Sequence, residues 1–208
     1  EEGRWFPLSY INGGGLCIRW FRDSFSGNPP ASYAELEKEA GEVPAGSEGL
    51  VFVPHFAGRV LPADPSLKGS FTGLDFRHTR AHLFRAVLEG IAYEYAFYLS
   101  VLRDLYPQCS FERMISIGGG SKSDFFTSVK ADVLGLAARR YQVGDTALVG
   151  SAVIAGYGAG VIADYRAAVR KTIQEEKPIV FNGKNHERYK EMARKYLAVI
   201  NSQGAAVQ

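Results

Sequence analysis

Apolar residues recur at every third or fourth position between His78 and Asp104: Leu83, Val87, Ile91, Tyr95, Tyr98 and Leu102. That spacing matches the α-helical turn and predicts the longest helix of the chain, with these side chains as its buried stripe. Upstream, "RWFPLSY" reads as a strand, and the glycine turn Asn12 to Gly15 feeds a helix over "LCIRWFRDSF". "GNPPA" is a loop, after which Ser32 is placed to cap a helix over "YAELEKEAGE". Leu50–Val53 is a short apolar run of the kind that forms a buried strand, and a long excursion punctuated by Pro and Gly follows it.

Past the long helix the alternation continues. "RMISI" reads as a strand, Ser123 as an N-cap, and Asp124–Leu134 as a helix with Phe126, Val129 and Val133 inward. "RRYQV" is a further strand. After "KPIVFNG", "NHERYKEMARKYLAVINSQ" reads as a final surface helix, and "GAAVQ" as a tail. Strands alternating with helices predict an α/β domain, and no internal repeat is visible.

Thr146–Ala163, "TALVGSAVIAGYGAGVIA", carries no charge and approaches membrane-spanning length, with Gly156 and Gly160 at the spacing of paired membrane helices. It is dominated by Ala and Gly and lacks a basic flank or aromatic belt, so a buried helix packed closely on a sheet is the expectation, and no membrane partner. Composition changes this picture little. The 208 residues are 46% hydrophobic and 22% charged, ordinary values for a globular protein. A net charge of +2 without a basic block argues against nucleic acid as a partner. Cys17 and Cys109 show neither metal-ligand spacing nor a disulfide framework, which suits a reducing compartment, the cytoplasm. The start, "EEGRWFPLSY", has no initiator Met and no signal-like apolar region, and reads as a fragment beginning within a longer protein.

Candidate chemistry centres on Gly118–Gly120, between the "RMISI" strand and the helix that Ser123 starts. A Rossmann fingerprint fails because Ser123 stands at its third glycine position, and "GGGSKS" lacks the P-loop spacing. What remains is either a structural turn or a bare backbone that lets a phosphate or a flat ring approach. His78 and His82 stand at i and i+4, but no third ligand is near, so capping or exposure is expected over a metal site. His55 and Arg59 follow a buried strand, where α/β ligands often bind, with solvent exposure as their default. Arg139 and Arg140 read as the start of an edge strand rather than as phosphate ligands. Asp64, Asp75, Asp124, Asp132 and Asp145 read as local turn or helix residues.

Longer stretches carry a resemblance. "GSFTGLDFRHTRAHLFRAVLEG" (Gly69–Gly90) resembles the second signature of the FGGY family of carbohydrate kinases, through Gly69, Phe71, Gly73, Leu74, His82, Leu83, Ala86, Val87, Leu88 and Glu89. "GLVFVPHFAGRVLPADPSLKG" looks like the lead-in to that signature, "GGGSKSDFFTSVKADVLG" is similar to the family's adenosine-binding turn and helix, and "VGDTALVGSAVIAGYGAG" resembles the small-residue helix that follows. "GGGSKS" and "RAVLEG" look closer to the xylulose kinase branch of that family than to the glycerol kinase branch.

The resemblance covers nearly all of residues 1–208. It implies the C-terminal, nucleotide-binding lobe of a longer kinase, with a ribonuclease H-like, actin-like α/β fold whose mixed sheet is flanked by helices. It implies that ATP or ADP binds at the glycine turn. Gly118, Gly119 and Gly120 would supply backbone approach, Ser121, Lys122 and Ser123 would edge the adenosine pocket, and Gly15 would lie near the phosphates. Lys122 has no phosphate role that the resemblance defends and reads equally as a solvated turn lysine. Glu89 becomes a structural acid near the core or hinge. The catalytic aspartate, the main Mg²⁺ ligands and most contacts to the sugar, a ketopentose such as xylulose, would belong to the other lobe. No catalytic residue is therefore named here, and the chain alone is expected to be inactive. A homodimer is implied as well. The competing reading is a non-catalytic actin-like module that senses nucleotide or oligomerises.

Overall fold

The computed structural model describes residues 6–143 and 145–205. Its helices are α1 (Gly14–Phe25), α2 (Tyr33–Gly41), α3 (Arg80–Leu105), α4 (Asp124–Leu134), α5 (Thr146–Gly158), α6 (Tyr165–Thr172) and α7 (Gly183–Ala205). The strands are β1 (Val51–Val53), β2 (Ser70–Thr72), β3 (Arg113–Ile115) and β4 (Ala137–Arg139). β1 and β2 pair antiparallel, with Phe52 opposite Phe71. β3 and β4 pair parallel, with Met114 opposite Ala138, and the far edge of β4 takes an antiparallel bridge between Ala138 and Ile179. The α/β class with mixed pairing holds, but the strands form two short ladders.

α3 is the axis of the fold. It packs against α1, α2, α4, α7 and β1, and Phe84 to Glu94 is buried without a break. A helix surrounded on all sides has no single apolar stripe. Val87 and Ile91 are buried as the spacing predicts, whereas Leu83, Tyr98 and Leu102 are half-buried and Tyr95 is exposed. The spacing located the helix correctly but not the number of its neighbours, and beyond Glu94 α3 runs past the core.

β1 divides that core by the two-residue alternation of a strand. Leu50 and Phe52 join one cluster with Phe21, Leu36, Phe84 and Leu88. Val51 and Val53 join another with Tyr93, Val133, Tyr189 and Tyr196. Gly90 permits the contact between β1 and α3: a Cβ there would lie 2.2 Å from the Phe52 carbonyl oxygen.

Two carboxylates of α3 are buried inside this packing. Glu89 accepts hydrogen bonds from Gly46 N (2.9 Å), Ser47 Oγ (2.8 Å), Arg85 Nε (2.7 Å) and Tyr189 OH (2.8 Å), the structural role expected of it. Glu94 accepts from Arg59 through Nε (2.8 Å) and Nη2 (3.1 Å), and from Tyr196 OH (2.7 Å). Burial pushes the Glu94 carboxyl up, but hydrogen bonds from His55, Arg59 and Tyr196 more than offset this and hold it below the usual range. His55 and Arg59 are thus buried, contrary to the exposure expected of them, because the acid they face lies 35 residues or more along the chain. The Arg59 guanidinium also stacks 4.2 Å from the Phe97 ring centroid.

Capping follows the sequence closely. Ser32 and Glu35 form a capping box on α2, and Ser123 Oγ accepts from Phe126 N at 2.8 Å. His78 and His82 act at the start of α3, where His78 Nδ1 accepts from Asp75 N and His82 Nδ1 from Thr79 N.

Other expectations need correction. Residues 6–10 form no strand and leave Phe6 and Leu8 exposed, since Pro7 offers no N–H and no ladder partner lies alongside; Arg4 and Trp5 fall outside the described residues. The strand expected over "RRYQV" begins earlier, at Ala137: Gly135 ends α4 in the left-handed conformation and the chain pairs with β3 at once. α7 is no surface helix, because Tyr189, Met192, Tyr196 and Ile200 repeat at helical spacing and are buried. Gly204 and Ala205, expected in a tail, end that helix, and residues 206–208 lie outside the described residues.

α5 departs most. It packs chiefly on α6, buries Val153, and exposes Leu148, Ile154 and Tyr157. An uncharged sequence favours burial but does not by itself supply a neighbour. Among the described residues no helix is long and apolar enough to cross a membrane.

Gly90→Ala is expected to lower stability by at least about 3 kcal/mol, since the added methyl overlaps backbone that cannot rotate away. Urea unfolding checks it; a loss below about 1 kcal/mol would show that α3 and β1 are not locked at this contact.

Candidate functional site

β3 leads directly into the glycine turn. Ser116 N donates to Arg139 O at 2.9 Å and so continues the ladder with β4. Gly118 then adopts φ 77° and ψ −167°, a conformation essentially reserved for glycine. Gly119–Ser121 follow as a single 3₁₀ turn, in which Ser121 N and Ser121 Oγ both donate to Gly118 O. Ser123 opens α4. Arg140, beyond β4, clamps the turn from the other side, donating to Ser121 O (2.9 Å) and Asp124 Oδ1 (2.6 Å).

Across from this turn, Gly13 in the left-handed conformation opens α1. Between the two glycine segments lies a cavity of about 660 Å³, within the size range of small-molecule sites. Gly14 and Gly15 line it from α1, and Gly119, Gly120, Lys122 and Ser123 from the turn. Ile18, Leu88, Ile91 and Ile117 supply apolar wall, with Leu88 and Ile91 coming from the face of α3 nearest α1 and α4. Arg19, Lys122 and Lys130 add positive charge, against which Glu37 is the one lining carboxylate among the described residues.

Gly15, Gly119, Gly120, Lys122 and Ser123 are therefore brought together. Gly118 and Ser121 belong to the same turn but do not line the cavity: Gly118 bends the chain, and Ser121 folds back onto it. A Cβ at Gly15 or Gly119 would meet nothing within 4 Å. Their bareness answers no packing demand of the protein and leaves backbone open to the cavity.

Lys130 escaped the sequence reading. It stands on α4 at i+4 from Phe126 and i−3 from Val133, on the inward face, and it is buried. A lysine at a core-facing position of a predicted helix was the available signal. Its Nζ donates to Ser116 Oγ at 2.7 Å and lies 4.7 Å from the Phe126 ring centroid. Burial, with repulsion from Arg140 second, pushes its pKa down from the ordinary lysine value to about 8.

The remaining candidates are structural. Among the described residues no group of three or more His, Cys, Asp or Glu is placed to hold a metal ion. Asp64 caps its own turn, Asp75 accepts from Arg77, Asp124 pairs with Arg140, and Asp145 caps α5. Asp132 is less local than expected, accepting from Asn182 N and Asn185 Nδ2 at the start of α7. Arg139 ends β4 rather than starting a strand, and pairs with Glu175. A second hollow of about 540 Å³, between α3, α4 and α7, is lined by none of the predicted residues.

Residues 2–159 match the FGGY family of carbohydrate kinases, C-terminal domain. The chain belongs to that family. It is 29% identical over 196 residues to a xylulose kinase of Staphylococcus epidermidis, covering 94% of this chain and 39% of the relative. It is 37% identical over 160 residues to a glycerol kinase of Nostoc, covering 76% of this chain and 31% of that protein. The crystal structure of xylulose kinase from Rhodospirillum rubrum superposes with a TM-score of 0.76 at 30% identity, over 90% of this chain and 38% of that one. The actin-like, ribonuclease H-like fold of the FGGY kinases is therefore the fold of this domain, and the chain spans well under half the length of these relatives.

Proposed function

We propose that residues 1–208 form the nucleotide-side lobe of an ATP-dependent carbohydrate kinase, binding ATP and ADP between the α1 glycines and the β3–α4 turn. One observation carries this reading. Gly15 and Gly119, far apart in sequence, line a single cavity, and a Cβ at either would meet nothing within 4 Å. A flat base can lie against backbone without meeting a Cβ, the apolar walls suit its faces, and the lining cations suit phosphate.

Phosphoryl transfer also needs charge neutralisation by Mg²⁺ and a group that orients the acceptor hydroxyl. Among the described residues no group of three or more His, Cys, Asp or Glu gathers, and the cavity is lined by a single carboxylate, Glu37. We assign no catalytic residue and no metal step to this chain. In the whole enzyme both belong with the sugar site, outside this lobe. Similarity to xylulose kinases supports a ketopentose such as xylulose as acceptor, in a cytoplasmic enzyme. Similarity to a glycerol kinase supports a polyol instead, and this would be the outcome of a reversed preference. The family resemblance implies a homodimer, and a lobe without its partner lobe exposes an apolar face that favours self-association.

Amide NMR titration of the chain with ATP and ADP is expected to shift Gly118–Ser123 and Gly15. A lobe holding half of the site should bind with Kd of about 1 mM, roughly 4 kcal/mol. Gly119→Val is expected to abolish these shifts with the circular dichroism spectrum unchanged, since Gly119 lines the cavity and a Cβ there meets no protein atom within 4 Å. Shifts clustered elsewhere, or unaltered in the variant, would refute the assignment.

For the whole protein, a coupled ADP-release assay is expected to favour xylulose over glycerol; the reverse preference would move the enzyme to the polyol branch. Sedimentation of the chain is expected to show a dimer, and a clean monomer at high concentration would count against self-association.

A further inference from the structure

Three cations line the cavity among the described residues, and they differ in kind. Arg19 and Lys122 are exposed, as solvated charges usually are, whereas Lys130 is buried. A buried ammonium is costly unless its donors are satisfied. The one at Lys130 is met by groups around the turn: Ser116 Oγ at 2.7 Å, a long contact to Gly120 O at 3.5 Å, and the face of Phe126. Among the described residues no carboxylate pairs with it.

The groups around it are otherwise engaged or of like charge. On its own helix, Asp124 is held by Arg140 and Asp132 by Asn182 and Asn185. α3 presents Tyr95 to the cavity, while its Arg85 and Glu89 are bound to each other and to Tyr189 of α7. α7 also presents His186, whose Nδ1 meets Asp132 O. α2 contributes Tyr33 and Glu37, α1 contributes Arg19, the turn contributes Lys122, and Arg140 repels Lys130 from beyond β4.

We propose that Lys130 is a positioning residue of the pocket: as an ammonium ion it ties Ser116, before the glycine turn, to Gly120, within it, and so holds the turn in the shape that receives a nucleotide. This role rests on the nucleotide reading above. Deprotonation removes the charge that strengthens both contacts, and the turn loses its tether.

Because burial and Arg140 hold the ammonium near a pKa of about 8, its charge is lost across an accessible range. Kd for ADP and for adenosine, measured on the 208-residue chain at pH 7 and pH 9, is expected to rise about tenfold for both, as the binding-competent protonated fraction falls by that factor. Lys130→Arg keeps its charge and should flatten the profile; Lys130→Met should bind weakly at both pH values.

A Kd independent of pH in the unsubstituted chain overturns the role of Lys130 and leaves the nucleotide reading intact. A rise confined to ADP also overturns it, because the ammonium would then touch phosphate directly rather than support the turn. No amide shift in the pocket at pH 7 removes the nucleotide reading, and this role with it. The ε-methylene NMR signal of Lys130 in the free chain needs no variant to fold. A midpoint near pH 8 is expected, and one above about 10, the ordinary lysine range, overturns the proposal.

Discussion

The buried pairing of Arg85 with Glu89 holds the fold at its centre. Both groups lie inside a helix that is buried on every side, so neither can turn to water, and each must be satisfied by protein. Arg85 donates to the carbonyls of Ala40 and Val43 at the end of α2, and Glu89 receives Gly46 N and Ser47 Oγ just before β1. Tyr189 bonds to both. One ion pair thereby fixes α2, the approach to β1 and α7 against α3. Glu94 repeats the arrangement farther along with Arg59 and Tyr196, which accounts for two tyrosines of α7 sitting where aliphatic side chains would otherwise fill the core.

With α3 held in this way, the rest of its surface is available to the site. Leu88 and Ile91 stand on the face that α1 and α4 approach, and there the two glycine segments meet. The cavity is a gap between helices whose separation is set elsewhere. Its floor is apolar because it belongs to the core, and its rim is charged because the turn and the start of α1 reach solvent. Arg140 and Lys130 hold the turn from opposite sides, one from beyond β4 and one from α4. Both cations meet carbonyl oxygens of the turn, Arg140 that of Ser121 and Lys130 that of Gly120.

Family membership agrees with this construction without fixing the acceptor. The matched region ends at residue 159, so α6 and α7 lie outside it, yet α7 supplies Tyr189 and Tyr196 to the central networks. The core of this lobe therefore depends on a helix beyond the segment that the family model matches.

Local order was legible along the chain wherever neighbours in sequence are neighbours in space. Ser32 and Ser123 cap their helices, α4 has the expected bounds, and the glycine turn sits between strand and helix, because capping and turn chemistry act over three or four residues. Gly15 and Gly119 were named through the family resemblance, and the structure added that neither has a packing neighbour at its Cβ position. Only the tertiary structure put them on one cavity, buried His55 and Arg59 against Glu94, turned α7 inward and left α5 exposed. Each of those outcomes depends on what packs against a residue from tens of positions away, and spacing along the chain does not encode such a partner. Lys130 falls between the two cases. Its inward register was readable from α4, but its meaning came from Ser116 and Gly120, which the fold folded over it.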